Sequence, residues 1–312
     1  MRIVVTGGAG FIGSHLCEHL LKEGHSVLVV DDLSSGYLSN LDAVRGRFKF
    51  FQCKVEEFDL DSVGDIDAVV HLAAQASVPL SISDFYNSSK SNLLSSLRVI
   101  EYCSLKNVPL VYASSSAIYG GLAFGSDESG EIDLLSPYAT DKYVMELYAK
   151  MASKIFKLSS IGLRFFNVYG PRQDPSNPYS GVISIFADRL LREKEIYING
   201  GAQTRDFVYV GDIVKVISST ILMASRVPSS DSFNVLTGTS ISIDELADLL
   251  MSVIKTKVNK VYRELPAGDP EQSFGSVEKI SDLYGIDLNE FVALEDGLSL
   301  TIDELRKERI PS

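Results

Sequence analysis

A chain of 312 residues is long enough for one large or two modest domains with a well-buried core. Its apolar share of 45% and charged share of 22% are ordinary for a soluble protein, and a net charge of −12 without a basic stripe argues against nucleic acid and anionic membranes as partners. Cys17, Cys53 and Cys103 lie far apart with no C-x-x-C, so no disulfide framework or zinc ribbon is expected, and a reducing, cytoplasmic compartment is.

The chain enters a strand at once, Arg2-Ile3-Val4-Val5, without a charged leader, and no apolar run is long enough to span a bilayer. Thr6-Gly7-Gly8-Ala9-Gly10-Phe11-Ile12-Gly13 follows, then a helical pattern from Ser14 through Leu21. A second strand, Ser26–Val30, ends in Asp31-Asp32. Gly7, Gly10 and Gly13 let the backbone turn sharply and approach a pyrophosphate at a helix N-terminus. Asp31 suits the hydroxyls of an adenosine ribose and repels a 2′-phosphate, so NAD is expected over NADP. No Gly-Lys-Ser/Thr follows, which removes a P-loop. His15, Cys17 and His19 share this helix, but the order His-Leu-Cys-Glu-His is not that of a zinc hydrolase, and no metal is expected.

Phe48–Cys53 reads as a third strand and Asp67–Leu72 as a fourth. A helix is expected over 91–106, with Leu93, Leu94, Leu97 and Ile100 as its apolar face. Pro109–Ala113 is a strand running into Ser114-Ser115-Ser116, at the strand end where α/β sheets bind ligands. Ser136-Pro137-Tyr138 starts the next helix, running to about Phe156, with Ser136 as cap and Pro137 in the first turn. Tyr138 and Lys142 share a face of it, and a nearby ammonium makes a phenol easier to ionise. Alone, Y-x-x-x-K equally describes an ordinary amphipathic helix.

Ile161–Phe165 completes an alternation of strands and helices, hence an α/β, Rossmann-type doubly wound parallel sheet over 1–170. The proline-rich Gly170–Pro178 suggests a crossing into a smaller C-terminal α/β lobe over 171–312, with 206–222 and 233–237 packing back on the first domain. That lobe shows a helix over Val182–Leu191, a strand over Glu195–Ile198 and a helix over Ser242–Ile254. It also carries Arg205 beside a glycine turn, suited to a phosphate.

TGGAGFIGS, VVDDLSSG, HLAAQASVP, YASSSAIYG, SPYATDKY, LRFFNVYGPRQDP, SGVISIF, QTRDFVYVGD and PAGDP, in this order, resemble the extended short-chain dehydrogenase/reductase family and within it the NAD-dependent nucleotide-sugar epimerases. The resemblance covers nearly the whole chain. It implies that Phe11 and Ile12 flank the pyrophosphate and that Asp31, Asp32, Leu33, Ser34, Ser35 and Gly36 surround the adenosine ribose. Leu72, Ala73, Ala74, Gln75, Asn92 and Phe166 would line the cofactor. Tyr138 would be the catalytic base, and Lys142 its partner, also holding the nicotinamide ribose. Ser115, four before Tyr119, would be the catalytic hydroxyl, with Ser114 and Ser116 as close competitors. Asn167, Tyr197, Gln203, Arg205, Asp269 and Ser273 match positions that hold the UDP-sugar.

The implied reaction is a reversible 4-epimerisation of a UDP-hexose through a transient 4-keto sugar and tightly bound NAD. Tyr138 takes the 4-hydroxyl proton, hydride leaves C4 for NAD+, the keto sugar turns over, and the hydride returns to the other face. Ser115-Ser116-Ala117 lacks the acids that dehydratases and decarboxylases resembling these enzymes carry, and Asp127 and Glu128 lie too far along to substitute. The small Ser273 implies that UDP-GlcNAc and UDP-GalNAc are accepted beside UDP-glucose and UDP-galactose. Three features depart from the pattern: Lys54-Val55 stand where an acid near the adenine is usual, Pro266 where an arginine is usual, and Phe274-Gly275 where Ala-Asp is usual. Arg263 is near Pro266 but out of register, which leaves the pyrophosphate to Arg205. The alternatives are a UDP-glucuronate 4-epimerase or another nucleotide-sugar oxidoreductase of this fold, and, in another class, a non-catalytic NAD-sensing protein. The resemblance further implies a homodimer through helices 91–106 and 138–156.

Overall fold

The computed structural model describes residues 1–176, 180–225, 229–266, 269–282 and 284–308, so Asn177, Pro178, Ala267 and Gly268 lie outside the described residues. Parallel strands covered on both faces must be apolar at every position, not at alternate ones. That is why Ile3, Val4 and Val5 of β1 (Arg2–Thr6) and Val29 and Val30 of β2 (Ser26–Asp31) are fully buried. The same sheet holds β3 (Lys49–Gln52), β4 (Ala68–His71), β5 (Leu110–Ser115), β6 (Ser160–Phe165) and β10 (Ser230–Val235), in the seven-strand order β10-β6-β5-β4-β1-β2-β3. The β2-β1, β1-β4, β4-β5 and β2-β3 pairs are parallel. Strand order reverses between β1 and β4, and ligands of doubly wound folds bind outside the carboxyl ends at that point.

The chain forms two compact units. The first comprises Met1–Ile118, Ser136–Arg164 and Ile213–Phe233. Its helices include α1 (Phe11–Lys22), α2 (Val78–Ser83), α3 (Phe85–Lys106), α4 (Pro137–Phe156) and most of α6 (Val210–Ala224). The second comprises Tyr119–Leu135, Phe165–Asp212 and Asn234–Ser312. It contains a sheet in the order β11-β9-β13 with β7 also on β9, and a β12-β8 pair. These strands are β7 (Asn167–Tyr169), β8 (Ile196–Asn199), β9 (Thr204–Tyr209), β11 (Ser240–Ser242), β12 (Lys260–Arg263) and β13 (Gln272–Ser273). α5 (Val182–Leu191), α7 (Ile243–Ile254) and α8 (Leu294–Glu308) share a core in this unit through Phe186, Leu190, Leu246, Leu250, Leu298 and Ile302.

Two expectations change here. A single boundary at 170 does not describe the units: 119–135 and 165–170 belong to the second, so Gly170–Ser176 lies inside it. The long helix also starts at Phe85, six residues before the expected 91, directly after α2 ends at Ser83. Its buried face is Ser88, Asn92, Ser95, Ser96, Val99, Ile100 and Cys103, while Leu94 is 41% exposed. Of the expected apolar face, Ile100 is buried, Leu93 and Leu97 are half-buried, and Leu94 lies outside. No helix among the described residues is long and apolar enough to cross a membrane.

Candidate active site

In the first unit, the glycine loop after β1 forms a cradle with no room for side chains. A β-carbon on Gly13 would lie 2.1 Å from the Gly7 carbonyl oxygen, and one on Gly7, at φ +70°, 2.7 Å from Ala73 N. Gly10 precedes α1 without a side-chain cap, and no acid stands in the first turn, so the leading N–H groups stay open to an anion. Asp31, 7% exposed, accepts Ala9 N through Oδ2 (2.9 Å) and Leu33 N through Oδ1 (2.8 Å), which fixes its carboxylate beside the loop. Burial pushes its pKa up, and those two bonds oppose the rise. Asp32 accepts Ser34 N at 2.9 Å, and Ser34 and Ser35 are exposed. Gly36 lies where a β-carbon would meet the Ala9 carbonyl carbon at 2.8 Å, and Asn40 Nδ2 donates to the Ala9 carbonyl at 2.9 Å. The sequence reading missed Ala9 and Asn40, whose roles arise only when the two loops meet. This cradle, with its open amides and fixed acid, fits an adenine dinucleotide.

Leu72 N joins the Thr6 carbonyl and Ala73 N the Thr6 hydroxyl, which brings 72–75 to the switch point. Asn92 is engaged by Gln75 and Asp141. Its Oδ1 accepts Gln75 N (2.8 Å), and its Nδ2 donates to the Gln75 carbonyl and to Asp141 Oδ2, both at 3.2 Å. It holds the 75 segment in place. His71 is fully buried against Thr6 Oγ1 (2.7 Å), and burial drives its imidazole down to about 3, so it is neutral. His15 stacks edge-on with Phe11 and His19 lies 3.6 Å from Glu23.

Ser136 caps α4 by accepting Ala139 N at 3.1 Å, and Pro137 follows. Ser115, the last residue of β5, is the neighbour that pulls the Tyr138 phenol down in pKa. Successive strand residues face opposite ways, and Ser114 instead donates to Glu146 Oε1 at 2.5 Å. The geometry thus sets Ser115, not Ser114, beside the phenol. Lys142 is the residue expected to tune this phenol. Its Nζ lies 5.7 Å from the Tyr138 ring centroid and donates to the Ala113 carbonyl at 2.9 Å. Burial pushes the Tyr138 phenol up, and the downward pull on it comes from Ser115. Burial also drives Lys142 down to about 8.

In the second unit a cavity of about 320 Å³ is lined by Asn167, Tyr197, Gln203, Arg205 and Asp269, among others. Ser273 is not in this lining; it pairs with Arg205 in the β13-β9 register. Arg205 meets Asp269 Oδ1 at 2.5 Å. Gln203 closes the Gly200-Gly201 turn, accepting Gly201 N (2.6 Å) and donating to the Asn199 carbonyl (2.5 Å). Asn167 Nδ2 donates to the Asp206 carbonyl at 3.0 Å. Tyr197 carries the guanidinium carbons of Arg263 at 3.8 Å and Arg189 at 4.6 Å from its ring centroid. Arg263, out of register in sequence, is thus brought to a pocket residue by the β12-β8 pairing, which sequence spacing could not show. Phe166 packs on Tyr119 at 6.4 Å. Asp127 accepts Asn234 N and Ser276 Oγ, so it is a structural acid of this unit.

The fold and the cradle define a dinucleotide-dependent α/β enzyme class. The model of the NAD dependent epimerase/dehydratase family matches residues 3–235, and the chain belongs to that family. It uses NAD, as the family and NAD-bound structural relatives show. Three solved structures superpose with a TM-score of 0.91. UDP-glucose 4-epimerase from Thermotoga maritima, with UDP-glucose, is 36% identical, and the match covers 99% of each chain. UDP-N-acetylglucosamine 4-epimerase from Methanobrevibacter ruminantium M1, in complex with UDP-N-acetylmuramic acid, is 32% identical over 98% of each. UDP-glucuronic acid 4-epimerase from Bacillus cereus, with UDP-glucuronic acid and NAD, is 29% identical over 99% of this chain and 100% of that one.

Proposed function

We propose that the protein interconverts C4 epimers of UDP-hexoses, UDP-glucose and UDP-galactose first among them. The carrying observation is the placing of Tyr138 and Lys142 on one face of α4 at the end of β5 that bears Ser115, with no carboxylate at 115–117. Such a set removes and returns a hydroxyl proton but has no acid for expelling water. NAD, when bound, takes up and gives back the hydride of C4. Tyr138 accepts the proton of the 4-hydroxyl. Ser115 hydrogen-bonds the same oxygen and relays the proton, and Lys142 holds the nicotinamide ribose. Arg205 answers the diphosphate, and Asn167 and Asp269 hold the rest of the nucleotide, leaving the sugar free to turn over. The chemistry is redox-neutral overall, so NAD stays bound through turnover.

The test is incubation of the purified protein with a panel of UDP-sugars and no added cofactor. Epimers of UDP-glucose are expected; stoichiometric NADH release without an epimer would sink the reading. UDP-glucuronate in the panel decides the alternative substrate. Ser273, small and half-buried, supports turnover of UDP-GlcNAc as well. Ser273→Tyr is expected to keep UDP-glucose turnover within about threefold and lower that of UDP-GlcNAc by on the order of 100-fold. Equal loss for both sugars would refute a selective role.

A homodimer is part of the same proposal. Leu147, Tyr148, Met151 and Ile155 on α4 and Leu94 and Leu105 on α3 are 38–70% exposed, an apolar surface suited to burial against a second copy. Leu147→Glu with Ile155→Glu is expected to give monomers in sedimentation, against dimers for the parent; an unchanged sedimentation coefficient would remove these helices from the interface.

A further inference from the structure

Asp141 is a buried acid that the proposed proton transfer does not use. It stands on α4 three residues after Tyr138 and one before Lys142, on the same stripe of the helix as Tyr138. It is 5% exposed. Its Oδ2 accepts Asn92 Nδ2 of α3 at 3.2 Å. Burial pushes its pKa up, and Ser89, Asn92 and Lys142 hold it down. Burying a carboxylate is unfavourable unless its neighbours answer it, so an acid here points to a task. The bond from Asn92 leads to the cofactor turn. Asn92 Oδ1 accepts Gln75 N at 2.8 Å while Nδ2 donates to the Gln75 carbonyl at 3.2 Å, so one side chain holds both main-chain groups of Gln75. Turning that amide over would set its oxygen against the Gln75 carbonyl and the Asp141 carboxylate, so the orientation is determined. A carboxylate accepts and never donates, and Asp141 therefore reinforces this one orientation. Ser88 Oγ fixes the side chain of Gln75, donating to Oε1 at 3.2 Å. The 72–75 turn lies against the glycine loop, where a β-carbon on Gly7 would come 2.7 Å from Ala73 N. Asp141, Asn92, Gln75 and Gly7 all belong to the first unit.

Resting on the reading that Tyr138 and Lys142 work on NAD held against the 72–75 turn, we infer that Asp141 is a positioning residue. Its carboxylate sets the Asn92 amide that holds Gln75, and so ties the helix of Tyr138 and Lys142 to the cofactor turn, while its charge stands beside Lys142. The influence on Lys142 has a definite sign. Burial lowers Lys142 to about 8, and Asp141 opposes the fall. The other titratable groups around the pair are Tyr138 on α4, whose ring centroid is 5.7 Å from Lys142 Nζ, and the neutral His71 on β4. α2 carries no titratable group, and on α3 Ser89 and Asn92 are uncharged while Lys90 is exposed over Tyr86. Removing the negative charge lets Lys142 lose its proton at lower pH and eases ionisation of the Tyr138 phenol. Both limbs of the pH profile then move toward acid. A packing role alone moves neither.

The experiment follows the loss of NAD from the purified holoenzyme on dialysis, and the pH dependence of kcat with UDP-glucose. Asp141→Leu removes the acceptor and is expected to lose NAD about tenfold faster than the parent. Asp141→Ala serves if the leucine variant does not fold. Added to Asn92→Leu, Asp141→Leu is expected to speed the loss by no more than about twofold, because the acid acts through that amide. Asp141→Asn keeps an oxygen that accepts from Asn92 and is expected to retain NAD within about twofold of the parent. Its pH profile is expected to lie about half a unit or more toward acid on both limbs. A leucine variant that keeps NAD as the parent does, a fully additive loss in the double variant, or an asparagine variant with the parent's profile would overturn the role. A parent that epimerises no UDP-sugar would sink the proposed activity alone, because the dialysis is made without substrate and still decides for or against Asp141.

Discussion

Tyr138→Phe is expected to lower kcat by about 10²–10⁴-fold while leaving the affinity for UDP within about twofold. The substitution removes one oxygen from a half-buried ring and leaves α4 and its Ser136 cap untouched. Ser115 keeps its bond from Ala117 N at 3.1 Å, and Lys142 keeps the Ala113 carbonyl at 2.9 Å. The loss should therefore fall on the proton transfer and not on binding. Single-turnover rates with UDP-glucose, beside calorimetry with UDP, separate the two. Ser115→Ala should fall less far, because it removes the relay and keeps the base. The electrostatics make the tyrosine's task specific. Burial raises the phenol and lowers Lys142 to about 8, so in the protein alone the lysine is the readier to release a proton. The base must then gain its acidity from Ser115 and from charge brought by its ligands. A kcat unchanged by Tyr138→Phe would remove this residue from the chemistry.

Elements whose partners lie nearby in sequence were the legible ones. β1 and β2 are continuous β-branched runs because both their faces are covered, and Val182–Leu191 is a helix as read. The glycine spacing and Asp31 announce the cradle, because close backbone approach and a fixed acid leave few residue choices. α3 differs from its expected face for a physical reason: serines and Asn92 share its buried face with Val99 and Ile100 by hydrogen-bonding within the helix or to Gln75, while Leu94 lies outside and Leu93 and Leu97 are only half-buried. Hydrophobic periodicity finds an apolar face but not what covers it. The choice among Ser114, Ser115 and Ser116 needed the direction of each side chain, which pleating settles only once the sheet exists. Arg263 on Tyr197, Asp127 on Ser276 and Glu146 on Arg164 join residues remote in sequence or on different elements, and no spacing rule predicts them.

The last of these pairs carries the largest expected effect on stability. Glu146 of α4 and Arg164 of β6 are each 7% exposed. Arg164 Nε donates to Oε1 at 3.0 Å and its terminal nitrogen to Oε2 at 2.7 Å, a two-pronged bond. Ser114 adds a third donor to the same carboxylate. Arg164→Met removes the cation and leaves a buried carboxylate with only the serine. The expected cost is about 3–5 kcal/mol, read as a lower urea midpoint at unchanged slope. Replacing both partners, Arg164→Met with Glu146→Leu, removes both charges and should recover much of the loss, since a well-packed apolar pair avoids the desolvation of two ions. The pair ties the helix bearing Tyr138 and Lys142 to β6, and Glu146 also ties it to Ser114 of β5, one residue from Ser115. Arg164→Met should therefore depress kcat more than UDP affinity, and the double variant should regain stability before it regains rate. A single variant as stable as the parent would show that Glu146 finds another partner or takes up a proton at negligible cost.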